Sequence, residues 1–399
     1  MPWKESCVMQ ERFKFVLEAH KGEKSVAQLC RDFGVSRTTA YKWLRRYDEE
    51  PYPEALDDQS RRPIHSPSRT DERIEDVVVA ARKRHPHWGP RKLRHLLQSH
   101  RCPGDGAWPS APTIGRILKR RGLVRPTRRR RRTPPYTRPF AEVTAPNQLW
   151  CIDFKGHFDT LDGTTIYPLT ITDSFSRFVL RCEVILEPRS AEVRDVLESA
   201  FREFGLPEAI RSDNGPPFAS TGPGGLTELS AWWIQLGIRH ERIDPGKPQQ
   251  NGRHERMHRT LKYETAAPPA KTPRGQQGRF DRWRKEFNGE RPHEALAMAT
   301  PMSIYSPSAR RFDERLVRDQ YPFDVERALV DRHGHIRWQR RRVFVATALR
   351  HQLVELRPTR RRRRWLVCFG PVVLGHYDER AKRPRLVRAA RARKVQTMS

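Results

Sequence analysis

Five consecutive arginines at 128–132, followed by Pro134, Pro135 and Pro139, cannot be packed into a hydrophobic core, so the chain must fold as separate units on either side of them. The stretch is expected to stay extended. It reads equally as a linker tracking a polyanion and as a plain solvated tether. At 399 residues the chain also exceeds the size, about 250 residues, at which single cores stop growing. A Pro-, Ser- and Arg-rich stretch from 51 to 70 makes a further division.

Charge narrows the partner. Lys and Arg total 78 against 47 Asp and Glu, a formal net charge of +31, and such a surface attracts nucleic acid. A membrane is the competing polyanion, but the basic residues fall on helical patterns and in arginine runs rather than beside an apolar anchor. No stretch of about 18 apolar residues occurs, and the opening Met-Pro-Trp-Lys-Glu has no apolar signal region. The expectation is an intracellular, cytoplasmic protein that works on the nucleoid, with no membrane partner. The cysteines Cys7, Cys30, Cys102, Cys151, Cys182 and Cys368 lack the paired spacing of a disulfide framework or zinc site.

Before the second linker, Phe13, Val16 and Leu17 recur at helical spacing over 10–21, and Val26, Leu29 and Cys30 over 25–33. Gly34-Val35 turns the chain, and Ser36 can cap a third helix with Ala40, Trp43 and Leu44 inward. Arg37, Thr38, Lys42, Arg45 and Arg46 are then left outside, which is the pattern of a helix-turn-helix with a basic recognition helix; an ordinary three-helix core with a solvated face is the alternative. A second unit, 71–126, repeats it with Ile74, Val77, Val78 and Ala81, then Leu93, Leu96 and Leu97, then Ile114, Ile117 and Leu118 after a possible Ser110 cap. Its last helix carries Arg116, Lys119, Arg120 and Arg121. A helical spacer is the other reading of this unit. His85, His87, His95 and His100 with Cys102 fall short of a zinc set; the histidines read as polar helix faces or phosphate contacts, and Cys102, like the other cysteines, as a buried or bystander thiol.

From 146 to 310 the pattern changes. Residues 149–158, 166–173 and 177–185 are rich in β-branched and aromatic residues, with an Asp162-Gly163 turn between the first two. Helix over 191–204, strand over 209–212, helix over 226–236 and strand over 237–243 follow, an order βββαβα that predicts a ribonuclease H-like α/β core. Short strands over 327–377 predict a small C-terminal β-barrel within 320–380, with arginines 360–364 in one connection and a basic tail at 381–399.

Three carboxylates arrive at the ends of core elements. Asp153 lies in Trp-Cys-Ile-Asp-Phe, Asp213 in Ser-Asp-Asn-Gly, and Glu255 in Asn-Gly-Arg-His-Glu-Arg-Met-His-Arg-Thr-Leu-Lys. Asp-Asn-Gly alone is more often a turn. Together, three carboxylates can hold a hard divalent ion such as magnesium, and two such ions can clamp the attacking and leaving oxygens of a phosphodiester. On the last helix Glu255, Arg259 and Lys262 share one stripe, and Met257 and Leu261 the opposite one, which predicts a packed apolar side and a side offering a metal ligand and two phosphate-binding cations. A solvated face with Glu-Arg pairing is the alternative. His240, His254 and His258 read as exposed histidines, not as a general base.

These strings, with Asn288, Arg291, Pro292 and His293 further on, resemble the integrase-like transposases of the insertion sequence 481 and insertion sequence 3 families, relatives of retroviral integrases. The resemblance spans nearly the whole chain. It implies a ribonuclease H-like core, cleavage and transfer of DNA strands with magnesium or manganese, two ions in number, and a triad of Asp153, Asp213 and Glu255. It also implies double-stranded DNA as partner and a homodimer or higher multimer, since two DNA ends must meet. Arg37, Thr38, Lys42, Arg46, Arg116, Lys119, Arg120, Arg128, Arg129, Arg130, Arg259, Lys262, Arg361 and Arg362 are the expected DNA contacts. One departure is the separation of Asp213 and Glu255, longer than usual in retroviral integrases, which the Gly/Pro-rich stretch 220–225 can absorb. Glu241 is the rival third ligand. A DNA-bound regulator or inactive relic, and a nuclease acting on hybrids, are the competing functions.

Overall fold

The computed structural model describes residues 7–58, 69–103, 106–124, 143–243, 252–313, 326–361, 363–381 and 386–388, apart from the side chains of Arg253 and Arg388. The arginine run with Arg128, Arg129 and Arg130, half of the 51–70 linker, Arg362 and most of the basic tail lie outside them. The chain divides into two compact units, Met1–Thr70 and Asp71–Ser399.

The first unit holds α1 (Val8–Lys21), α2 (Val26–Asp32) and α3 (Arg37–Glu49). Gly22 ends α1 at φ 72°, and Ser36 Oγ accepts the Thr39 N–H at 3.2 Å to start α3. Phe15, Val16, Leu29, Cys30, Ala40, Trp43 and Leu56 form the core. Leu17, expected inside, is 41% exposed, and Phe15 fills that place.

The second unit begins with α4 (Glu72–Arg84), α5 (Pro90–Gln98) and α6 (Ala111–Arg120) around Val78, Trp88, Leu93, Leu97, Ile114, Ile117 and Leu118. Ser110 Oγ caps α6 by accepting the Thr113 N–H. An α/β core follows: β1 (Leu149–Phe154), β2 (Phe158–Asp159), β3 (Thr165–Asp173), β4 (Val179–Ile185), α7 (Ser190–Phe204), β5 (Ala209–Ser212), α8 (Glu228–Gln235), β6 (Arg239–Arg242), α9 (Gly252–Thr265), α10 (Pro273–Gly289) and α11 (Pro301–Ile304). The single strand expected over 149–158 is broken after Phe154, where Gly156 takes φ 75°. β1 runs antiparallel to β3 and parallel to β5; β4 joins β3 and β6 joins β5. Alternate side chains bury both faces. Trp150, Ile152, Leu180 and Ile210 pack with Val193, Leu197, Phe201 and Trp233 of α7 and α8, whereas Val179 and Cys182 pack with Met257, Leu261, Phe280 and Trp283 of α9 and α10. Each large side chain so buried stabilises the fold by roughly 1.5–3 kcal/mol.

The C-terminal strands are β7 (Arg327–Leu329), β8 (His335–Trp338), β9 (Arg341–Phe344), β10 (Leu353–Pro358), β11 (Arg364–Phe369), β12 (Val372–Asp378) and β13 (Leu386–Arg388). They form an antiparallel sheet in the order β13-β12-β11-β10-β7 and a separate β8-β9 hairpin. Among the described residues no pairing joins β13 to β7, so a closed barrel is not seen. The sheet buries its apolar side without closing, because Leu226, Ala231 and Ile234 from the α8 region share its core with Val345, Val354, Val367 and Phe369.

Candidate active site and nucleic-acid interface

Parallel pairing of β1 with β5 sets Cys151 beside Arg211, so two residues further along each strand Asp153 and Asp213 emerge side by side at adjacent carboxyl ends. Glu255 lies exposed on the first turn of α9. The Asp153 side chain is 21% exposed. Its carboxyl is raised to about 7, first by burial and then by repulsion from Asp213, with Glu255 a smaller contribution; the Phe154 N–H and Lys155 oppose this. Burial also raises Asp213, whose Oδ1 accepts the Gly215 N–H at 3.2 Å. No Lys or Arg forms an ion pair with Asp153, Asp213 or Glu255 among the described residues. Buried like charges with oxygen donors and no cationic partner fit a hard divalent cation.

Behind them lies a polar cluster not anticipated from the sequence. Thr170, opposite Asp153 in the β1–β3 register, has its Oγ1 3.2 Å from the Asp153 carbonyl, 2.7 Å from His254 Nε2 and 2.6 Å from His258 Nε2. The carbonyl can only accept, so Thr170 donates to it and both imidazoles donate to Thr170. Thr172 Oγ1 then donates to His254 Nδ1 at 2.9 Å, and the remaining lone pair, His258 Nδ1, lies 3.8 Å from Asp153 Oδ2. Burial lowers His254 to about 3 and His258 further, with His254 and Lys155 adding to the effect at His258, so both rings are neutral. They are buried, contrary to the expectation of exposed histidines, because the α9 side bearing them faces β3. Potential ligand atoms of Asp153, His254 and His258 all lie within 4.8 Å of one another. The one signal available beforehand was pairing of i,i+4 histidines on a helix with alternate threonines on a strand.

The other expected residues divide. Met257 and Leu261 are buried, and Glu255, Arg259 and Lys262 exposed, on α9. Glu241 pairs with Arg211 at 2.9 Å and is occupied. On α3, Arg37, Thr38 and Lys42 are exposed, whereas half-buried Arg46 donates to the Asp57 carbonyl at 3.3 Å and lies over Trp43. On α6, Arg116 and Lys119 are exposed, while Arg120 and Arg121 serve the fully buried carboxylate of Glu75. Arg361 is exposed in the β10–β11 connection. His85 is buried with Nδ1 3.0 Å from Glu286 Oε1 of α10, so it is not a polar-face residue, whereas Cys102 is a buried free thiol. No helix among the described residues is long and apolar enough to cross a membrane.

Residues 143–248 and 236–301 each match an integrase core domain family, residues 39–118 a homeodomain-like domain and residues 11–64 a helix-turn-helix domain. The chain thus carries an integrase core with helix-turn-helix domains before it. It is 29% identical over 250 residues to the uncharacterized 31.7 kDa protein of insertion element IS407 from Burkholderia multivorans, covering 61% of this chain and 85% of that protein. With the uncharacterized 39.2 kDa protein of insertion element IS476 from Xanthomonas euvesicatoria the identity is 28% over 243 residues, covering 59% of this chain and 65% of that one. The HTLV-2 integrase catalytic core domain in complex with magnesium shares 20% identity at a TM-score of 0.33, covering 41% of this chain and 98% of that one. By domain content the chain carries an integrase core and helix-turn-helix domains, and the relatives it is similar to include proteins of insertion elements.

Proposed function

We propose that the chain is a DNA transposase that binds the terminal inverted repeats of an insertion sequence and catalyses metal-dependent strand cleavage and strand transfer into target DNA. The observation that carries this is the pair of carboxylates at adjacent strand ends, with Asp153 held up near 7 by burial and by its acidic neighbours. Asp153, Asp213 and Glu255 would together hold magnesium or manganese, two ions in this reading. Bound there, the metal offsets the carboxylate repulsion and supplies positive charge for a phosphodiester transition state. The chain's own part is to position: β1 and β5 fix the two aspartates, and the Thr170 hydroxyl with His254 and His258 ties the Glu255 helix to the sheet.

DNA reading falls to helix-turn-helix domains at 1–50 and 71–126, through Arg37, Thr38, Lys42 and Arg46 and through Arg116 and Lys119, Arg120 being taken up by Glu75. Chemistry falls to 146–310, and sequence-independent holding to Arg128, Arg129 and Arg130 in the 127–145 linker and to Arg361 and Arg362 in the 320–380 region. A homodimer or higher multimer on two DNA ends, at the nucleoid, is the working assembly. The test is incubation of the full chain with DNA carrying its element's ends, with and without magnesium or manganese. Metal-dependent nicking at the ends is expected; its absence would leave a DNA-bound regulator.

A further inference from the structure

A cavity of about 280 Å³ lies beside the carboxylate site, sharing Thr172 and His254 with the polar cluster there but lined mainly by other residues. Its wall is built jointly: Lys92 comes from α5 of the second helix-turn-helix unit, Arg177 from the β3–β4 turn, Arg256 from α9, and Arg291 and His293 from the segment after α10. The acids nearby are already committed. Glu264 pairs with Arg291 at 2.7 Å, Glu294 with Arg91 at 2.8 Å, and Asp173 accepts from Asn147 N, Ser176 N and Ser176 Oγ. Lys92 and the Arg256 side chain form no hydrogen bond or ion pair among the described residues, and the buried His293 Nε2 has no partner. The Phe287 carbonyl occupies the other His293 nitrogen, so Nε2 becomes a donor only when the ring takes up a proton. Burial and then Arg291 lower Lys92 to about 8; burial, Lys92 and Arg291 lower His293 to about 3. An anion would relieve each of these strains at once.

We propose that this cavity is a phosphodiester site, holding a DNA backbone phosphate between the second helix-turn-helix unit and the core. The inference rests on the DNA-processing reading above and adds to it a place where reading and cutting are kept in register. Cys151 lines the cavity and stands two strand residues, about 7 Å, from Asp153. A phosphate held in the cavity therefore anchors the strand close to the carboxylates.

The test uses the metal-free full chain, so that it is independent of cleavage, with the variants Lys92→Met and His293→Gln. Lys92→Met keeps the aliphatic stem that packs in α5 and removes the charge. A short duplex is titrated over a range of salt, and inorganic phosphate is titrated against chloride at equal ionic strength, followed by melting temperature. Wild type is expected to be stabilised by phosphate, the duplex to compete with that effect, and Lys92→Met to lose it and to lower the salt slope of duplex binding by about 0.9. Phosphate stabilisation that the duplex does not displace would mean a small-anion site and would overturn the proposal. So would an unchanged salt slope in Lys92→Met. Should that variant melt abnormally, the wild-type competition between duplex and phosphate decides by itself. A chain that shows the competition but never nicks DNA would refute the transposase reading and leave this site standing.

Discussion

Asp173 and Asp153 sit towards opposite ends of the β1–β3 ladder, Asp173 in register with Trp150 and Asp153 with Thr170. Burial pushes both carboxyls upward. At Asp173 three donors push back, from Ser176 Oγ at 2.6 Å, Ser176 N at 2.7 Å and Asn147 N at 2.8 Å. Asp153 instead meets Asp213, Glu255 and the lone pair of His258 Nδ1. One end of the ladder is a closed polar knot that holds the Asn147 corner to the β3–β4 turn; the other is left short of positive charge. What separates a structural aspartate from a candidate metal ligand here is the supply of donors, not depth of burial.

The largest expected effect would break the comparison at the open end. Asp153→Asn, Asp213→Asn and Glu255→Gln should each lower end cleavage by on the order of a thousandfold or more, and the triple variant should be no worse than the singles, because residues acting as a unit cannot be lost three times. DNA binding measured by gel shift should persist. Independent, additive losses would sink the shared-site reading. At the closed end the effect should fall on folding: Asp173→Ala orphans three donors and should cost about 3 kcal/mol in denaturant unfolding. A variant as stable as wild type would mean that water replaces the carboxylate there.

A smaller effect sharpens the contrast through pH. An aspartate with a pKa near 7 in the folded chain and 3.8 unfolded binds more protons when folded, so its contribution to stability is lost as pH rises from about 4 to about 7 and stays lost above that. Metal-free Asp153→Asn should therefore exceed wild type by on the order of 2 kcal/mol at pH 8 and match it at pH 4. Equal melting temperatures at both pH values would show that the open end is not strained.

Much of this arrangement was legible from local rules. Ser36 and Ser110 start their helices because the capping hydroxyls are local signals, and the βββαβα order survives because periodicity is local too. What escaped depends on contacts far apart in sequence. His254 and His258 look like surface histidines until β3 brings Thr170 to them, and Arg120 looks like a recognition-helix cation until α4 supplies Glu75. A closed barrel is not seen among the described residues for a related reason: the alternation of the strands was real, but α8, more than 90 residues upstream, shares the sheet's core.

The smallest effect asks how far the open end extends along α9. Arg259 and Lys262 are exposed on the Glu255 stripe, and no ion pair joins Glu255 to Arg259 among the described residues, so the two cations are not there to neutralise the acid. Such a pair on a helix surface would contribute only about 0.3–0.5 kcal/mol in any case. With the apolar Met257 and Leu261 doing the packing, changing both cations to Ala should shift stability by less than about 0.5 kcal/mol. Binding of a duplex carrying the element's end should instead lose about two phosphate contacts, a fall of about 1.8 in the slope of log K against log salt. Cleavage at limiting DNA should drop about tenfold, the equivalent of 1.4 kcal/mol. A large fall in melting temperature with the salt slope intact would make the stripe structural and confine the open end to the carboxylates.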